Sequence, residues 1–154
     1  MPWYPGKIIE TLRGKTIEDL RVLWSGFERE WAIPRLDDVI YELDEALEKA
    51  IAGDWSRAEF SLDKIRRIFE EWKVRKDVVI KGFREVFGEN GVEYVEITLE
   101  KFLRVIDATH EAIKKKDKGR AEMIYKWDIP GLKGEFDEFM CISYVVFGKL
   151  RRVV

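Results

Sequence analysis

The stretch Arg35–Glu59 reads RLDDVIYELDEALEKAIAGDWSRAE. Leu36, Val39, Ile40, Leu43, Ala46, Leu47, Ala50 and Ile51 fall at i, i+3, i+4 and i+7 positions, which lays one apolar stripe along a helix. Gly53 then supplies a stop, because glycine enters the left-handed region without a Cβ clash. Asp54 stands where a side-chain oxygen can cap the helix that follows. The stripe restarts through Trp55, Ala58, Leu62, Ile65, Phe69 and Trp72. Helix, tight turn and second helix follow from this stretch alone.

Downstream, Val79, Phe83 and Val86 carry the pattern to Gly88. The charged run Lys73–Asp77 leaves two readings, one very long helix or a break recapped by Asp77, and the break is preferred. Gly88–Gly91, GENG, reads as a turn. Val92, Val95, Leu99, Phe102, Ile106, Thr109 and Ile113 again alternate by three and four, although VEYVEI also alternates like a strand. A short helix is expected over about Lys118–Trp127, a break at Asp128–Gly131, and a last helix over about Leu132–Leu150. The run Phe139–Phe147 is apolar nearly all round, which predicts a central position; a strand is the alternative over 142–147.

Upstream, MPWYPGK has the prolines of an extended arm over residues 1–15. Thr16 and Asp19 form a variant capping box ahead of a helix over Ile17–Trp31. Its stripe is Ile17, Leu20, Trp24, Phe27 and Trp31, and Pro34 closes it. The expected fold is all-α: a single domain over residues 1–154, an antiparallel helical bundle of five or six helices built on two related helical hairpins.

The relation between the hairpins rests on an echo. Ala50–Glu59, AIAGDWSRAE, returns as Ala112–Glu122, AIKKKDKGRAE. Asp54 and Asp117 fall at capping positions, and Ala58 and Ala121 are small enough for two helices to approach closely. Aligned on Ala-Ile, Ile40 matches Phe102, Leu43 matches Val105, Leu47 matches Thr109 and His110 matches Glu48. The six residues Gly53–Ala58 resemble the inter-helix turn of tetratricopeptide repeats. Upstream, Glu42 and Glu45 occupy places where that family carries an aromatic residue and a leucine. The echo spacing of 62 to 63 residues also differs from the family's repeat of about 34. The chain is therefore not assigned to it.

Composition narrows the function. The 154 residues hold 46% hydrophobic and 38% charged side chains with a net charge of -2, so no global attraction to nucleic acid or to acidic membranes is expected. Glutamine is absent, Asn90 is the one asparagine, and Glu, Lys and Arg are abundant, a composition like that of hyperthermophile proteins. Cys141 is the one cysteine and cannot form an internal disulfide; inside FMCISYVVF it reads as a small buried hydrophobe. No stretch in the first ten residues resembles a signal peptide, and no run is long enough for a membrane span. A cytoplasmic location with no membrane partner is expected.

Candidate sites are few. His110 is the only histidine and forms Asp-x-x-His with Asp107. One histidine cannot build the two-histidine di-iron site of ferritin-like bundles, nor a cysteine–histidine zinc site. Asp107 and His110 are thus weak metal candidates, with a helix-rim histidine as the plain reading. Carboxylate pairs such as Asp44 with Glu48 are what this charge density produces without purpose. Arg57 and Arg120 sit in the first turns of helices, where a cation opposes the dipole by ~0.3–1 kcal/mol. Either a nearby acid compensates, or the two arginines mark an anion site. KKKDKGR, Lys114–Arg120, is the most basic patch, and GKLRR, Gly148–Arg152, is another. Arg35–Ala52 carries six acids against two bases and Leu62–Lys76 six bases against three acids, so the two helices are expected to pair charges.

The expected function is a non-enzymatic protein–protein interaction or regulatory module needing no cofactor. Its six tryptophans suit a core or a binding groove equally. One alternative is nucleic-acid or anionic-ligand binding through Lys114, Lys115, Lys116, Lys118 and Arg120, with Arg57. A second is a carboxylate-based metal-dependent enzyme.

Overall fold

A computed structural model describes residues 36–153, without the side chains of 72–75, 78, 86 and 144–153. The expected arm and the helix expected over Ile17–Trp31 lie outside the described residues. Among the described residues the chain is helical throughout, with no strand. Five α-helices follow in order: α1 Leu36–Ile51, α2 Trp55–Phe87, α3 Glu89–Lys114, α4 Lys118–Met123 and α5 Ile129–Val153, with a π-helical turn Ile124–Asp128 before α5. None of them is long and apolar enough to cross a membrane.

The turn after α1 follows from its residues. Gly53, at φ 82°, donates to the Ala50 carbonyl at 3.0 Å, and Asp54 N–H reaches back to the Lys49 carbonyl at 2.8 Å. These are the two bonds of a Schellman motif. Asp54 then starts α2, its carboxylate accepting from Arg57 N–H at 3.3 Å. The turn after α3 repeats the design. Lys116 donates to Ile113, Asp117 donates to Ala112, and the Asp117 carboxylate accepts from Arg120 N–H at 3.1 Å. Here Lys116, not a glycine, holds φ 53°.

These bonds reset the echo. Asp117 lies 63 residues after Asp54 and the bonded carbonyls keep that spacing, so Lys49 corresponds to Ala112. The Ala-Ile pairs are one place out of register, because the second turn carries an extra residue between Ile and Asp. His110 therefore corresponds to Leu47 and not to Glu48. In the corrected register Leu36 pairs with Leu99, Val39 with Phe102, Ala46 with Thr109 and Ala50 with Ile113, all buried.

Three other expectations are corrected. The backbone is helical through Lys73–Asp77, so α2 is continuous; no proline or glycine interrupts it before Gly82, and lysine and arginine favour helix. GENG is not a four-residue turn: Gly88 alone reverses the chain at φ 69°, ψ -153°, a conformation open to glycine, and Glu89–Gly91 already belong to α3. Asp128–Gly131 is not a break. Pro130 cannot donate and crowds the carbonyl four residues back, and a widened π-helical turn, with Ile129 N–H bonded to the Ile124 carbonyl, absorbs it.

The core lies where α1 packs on α2, α2 on α3, and α5 against all three. Phe83 of α2, Tyr94 of α3 and Phe139 of α5 stack with ring centroids 5.7 to 6.2 Å apart. At the α2–α3 crossing, a Cβ on Gly91 would lie 2.6 Å from the Phe83 carbonyl oxygen. Ion pairs tie the elements from outside: Lys64–Glu42 between α2 and α1, and Lys101–Glu135 between α3 and α5.

Two outcomes are expected in equilibrium urea unfolding. Gly91→Ala destabilises the protein by about 1–3 kcal/mol, although alanine is the better helix former, because the clashing atom is backbone. Lys116→Gly stabilises it by up to about 1 kcal/mol by removing the left-handed strain, while Asp117→Ala costs about 1 kcal/mol through loss of the cap.

Candidate functional site

The sequence singled out a basic turn, and the structure divides it. Lys114 closes α3, Lys115 caps it, Lys116 holds the left-handed position, Lys118 opens α4 and Arg120 follows in its first turn. Lys115 pairs with Glu111 at 2.7 Å and Arg120 reaches the same carboxylate at 3.9 Å. That arrangement pulls the Glu111 carboxyl below its ordinary range, chiefly through the hydrogen bond from Lys115. Arg57 lies on the other turn, its side chain 3.4 Å from Asp54. Each first-turn arginine thus has an acid close by, which offsets its unfavourable place on the helix dipole.

His110 and Asp107 sit on α3 facing α2, half-buried and exposed respectively. The Arg66 guanidinium of α2 places Nη2 3.3 Å from both ring nitrogens of His110, within reach to donate to whichever of them is the acceptor. Among the described residues no group of three His, Cys, Asp or Glu side chains is placed to hold a metal.

The Arg66–His110 contact spans a groove along the α2–α3 seam. One part, about 380 Å³, has a floor of Leu62, Ile65, Phe69 and Ile106, with Leu103 at its edge. The adjoining part, about 200 Å³, continues past Arg66 and His110 to Ile113, where Glu59, Asp63 and Lys114 form the rim. Both parts share Leu62, Arg66 and His110, so they adjoin across the Arg66–His110 contact. Glu59 and Glu70, at the two ends of the groove on α2, are about 16 Å apart at 1.5 Å per residue.

The corrected echo register shows what is unusual about this face. Ile40, Leu43 and Leu47 of α1 are buried at 5%, 0% and 0% exposure. Their counterparts on α3, 63 residues on, are Leu103, Ile106 and His110. Leu103 is 41% exposed, and the other two are only half-buried. The three positions that α1 buries in the core are those with which α3 lines the groove.

The sequence singled out Lys114 for an anion site and Asp107 and His110 as weak metal candidates, not as parts of a groove, and it did not single out Arg66 or Leu103. Leu103 carried a legible signal: it is a large apolar residue one place outside the stripe through Leu99, Phe102 and Ile106. Arg66 carried none, since its place beside His110 depends on how α2 and α3 pair.

At the α3–α5 contact, the Tyr94 hydroxyl is buried beside Glu138 and Thr98. Burial, and then the Glu138 charge, push its ionisation far above the ordinary range. The Glu138 carboxyl is itself pushed up, first by burial and then by Glu135. Cys141 is half-buried rather than fully inside, and burial raises its thiol, which makes it a slow nucleophile.

The chain matches no family model, no curated protein and no solved structure.

A carboxyl whose pKa is raised by folding adds stability below its unfolded value and loses that contribution as pH rises through its folded value. Glu138→Gln is therefore expected to raise the melting temperature at pH 7, with the gain vanishing towards pH 4. Thermal unfolding of both proteins across that range checks the sign.

Proposed function

We propose that this protein is a non-enzymatic binding module whose working surface is the α2–α3 groove, and that its natural occupant is an amphipathic helix. In this reading the described helices form an antiparallel bundle built on two related hairpins, α1–α2 and α3–α4. The Lys64–Glu42 pair supports the first hairpin, since the two residues stand equally far from the turn at Gly53. The repeated Schellman–aspartate turn supports the kinship.

The observation that carries the function is the face of Leu103, Ile106 and His110. Its counterpart on α1 is covered by neighbouring helices, so a helix is the shape that completes it. An apolar floor with charged edges is how grooves receive the apolar stripe of a partner helix. A groove about 16 Å long matches roughly three turns of such a helix. The side chains here also lack a nucleophile–base pair, and Arg66 already engages the one histidine. Binding, rather than turnover, is what such a surface supports.

The basic turn offers a second, anionic reading: Lys114, Lys116 and Lys118 are exposed and have no acid paired with them among the described residues. The two readings respond oppositely to salt, because phosphate-backbone binding weakens steeply as salt rises.

The test is capture from an extract of the source cells with the wild-type protein and with Leu103→Arg. Leu103 is exposed, so the variant is expected to keep its circular dichroism and melting temperature. The expected result is a protein retained by the wild type at both low and high salt, and lost at least about tenfold with the variant, equivalent to ~1.4 kcal/mol. Identical capture by both proteins overturns the groove. Capture that disappears with nuclease or raised salt transfers the function to the basic turn.

A further inference from the structure

We infer that the helix this groove receives is cationic: its apolar stripe lies on the floor, and a lysine or arginine on each flank, about six residues apart, faces Asp63 of α2 and Asp107 of α3. The inference rests on the groove of the preceding reading and adds the charge of its occupant.

The charge of the lining carries it. Four carboxylates, Glu59, Asp63, Glu70 and Asp107, stand around the apolar floor against two cations, Arg66 and Lys114. Glu59, Asp63 and Asp107 are exposed, and among the described residues none of these three has a cation within ion-pair distance. A helix that lowers its apolar stripe onto the floor brings its two flanks over these carboxylates.

Arg66 does not reverse the balance. Its Nη2 is held 3.3 Å from the ring nitrogens of His110. Asp63 stands three residues before it on α2, a spacing at which helix side chains are neighbours. A carboxylate brought to the middle of the groove therefore meets the charge of Asp63 together with that of Arg66. An ammonium or guanidinium brought over Asp63 or Asp107 meets an acid that no described cation engages.

The position of the flanking cations follows from the same contact. Asp63 lines the smaller part of the groove and Asp107 the larger, so they lie on opposite sides of the Arg66–His110 contact. Each stands three residues from it, which separates them by about 9 Å along the groove. They are also on opposite edges, one on each helix. About six residues of a partner helix cover that rise and turn through about one and two-thirds turns, which brings the two side chains to opposite sides of one stripe. Lys114, on the α3 edge of the part that holds Glu59 and Asp63, disfavours a further cation there. The floor supplies binding that survives salt. The exposed carboxylates supply selection, because charges at the rim of an interface govern partner choice more than affinity.

The experiment offers the full chain a displayed library of helices of about eighteen residues, roughly 27 Å long. Stripe positions are drawn from apolar residues, and flanking positions equally from Lys and Glu. Binders to the wild type are counter-selected on Leu103→Arg, so that only those requiring the groove are sequenced. The expected result is a preference for Lys over Glu of about two- to fivefold at each of two flanking positions about six apart, the range of exposed ion pairs. The preference fades at about 0.5 M salt while the binders are still retained. Asp63→Lys combined with Asp107→Lys reverses it in favour of Glu. Glu85→Lys combined with Glu96→Lys, an equal charge change on exposed residues outside the groove, leaves it unchanged. Both double variants are checked for unchanged circular dichroism. Groove-dependent binders with Lys and Glu equally frequent, or with Glu in excess, overturn the inference and leave the groove standing. A preference that survives the change at Asp63 and Asp107, or that is lost equally with the change at Glu85 and Glu96, overturns it as well. A library with no helix retained by the wild type and lost with Leu103→Arg retires the groove itself, and the cationic occupant with it.

Discussion

The α2–α3 seam depends on one close approach. Gly88 reverses the chain in a single residue, and three residues later Gly91 lies so near the Phe83 carbonyl that no side chain fits there. That contact holds the start of α3 against the end of α2. It lets Phe83 stack on Tyr94 and both rings on Phe139 of α5. The seam is sealed with aromatic rings at this end. At the other end Leu103, Ile106 and His110 of α3 are left partly exposed beside α2, and they line the groove with Arg66. The sealed and open ends are parts of one geometry, because both follow from two helices paired outward from Gly88.

The two Schellman turns add a second constraint. Each ends one helix and starts the next with the same aspartate, which satisfies backbone groups that would otherwise be left without partners. Fixing the turns fixes the register of the helices around them, and the register gives the groove its meaning. Positions buried in α1 recur half-open in α3. The same turns explain the arginines. Arg57 and Arg120 stand one turn past a capping aspartate, and Asp54 or Glu111 compensates their charge. The basic turn is thus partly engaged in holding its own structure together.

Much of the fold was legible in the residues. The stripes of α1 and α3, the caps Asp54 and Asp117 and the small residues Ala58 and Ala121 could all be read, because helix period and capping are local physics. Where reading failed, one local signal was outweighed by another. The charges of Lys73–Asp77 looked like a break, yet they are helix formers with no breaker among them. Pro130 looked like a terminus, yet a widened turn accommodates it. The echo was detected but set one residue out, since matching letters weigh Ala-Ile equally with Asp, whereas hydrogen bonds count back from the cap alone.

By itself the sequence determined an all-helical chain, its stripes and its two related turns. It also limited the chain to one histidine and one cysteine. Only the tertiary structure decided that Arg66 meets His110, that Leu103 stands at the edge of a groove, and that α2 runs unbroken for 33 residues. The division has a physical reason. Helix formation depends on neighbours within four residues, whereas a groove is the space two helices leave between them, set by contacts between residues more than forty apart in the chain.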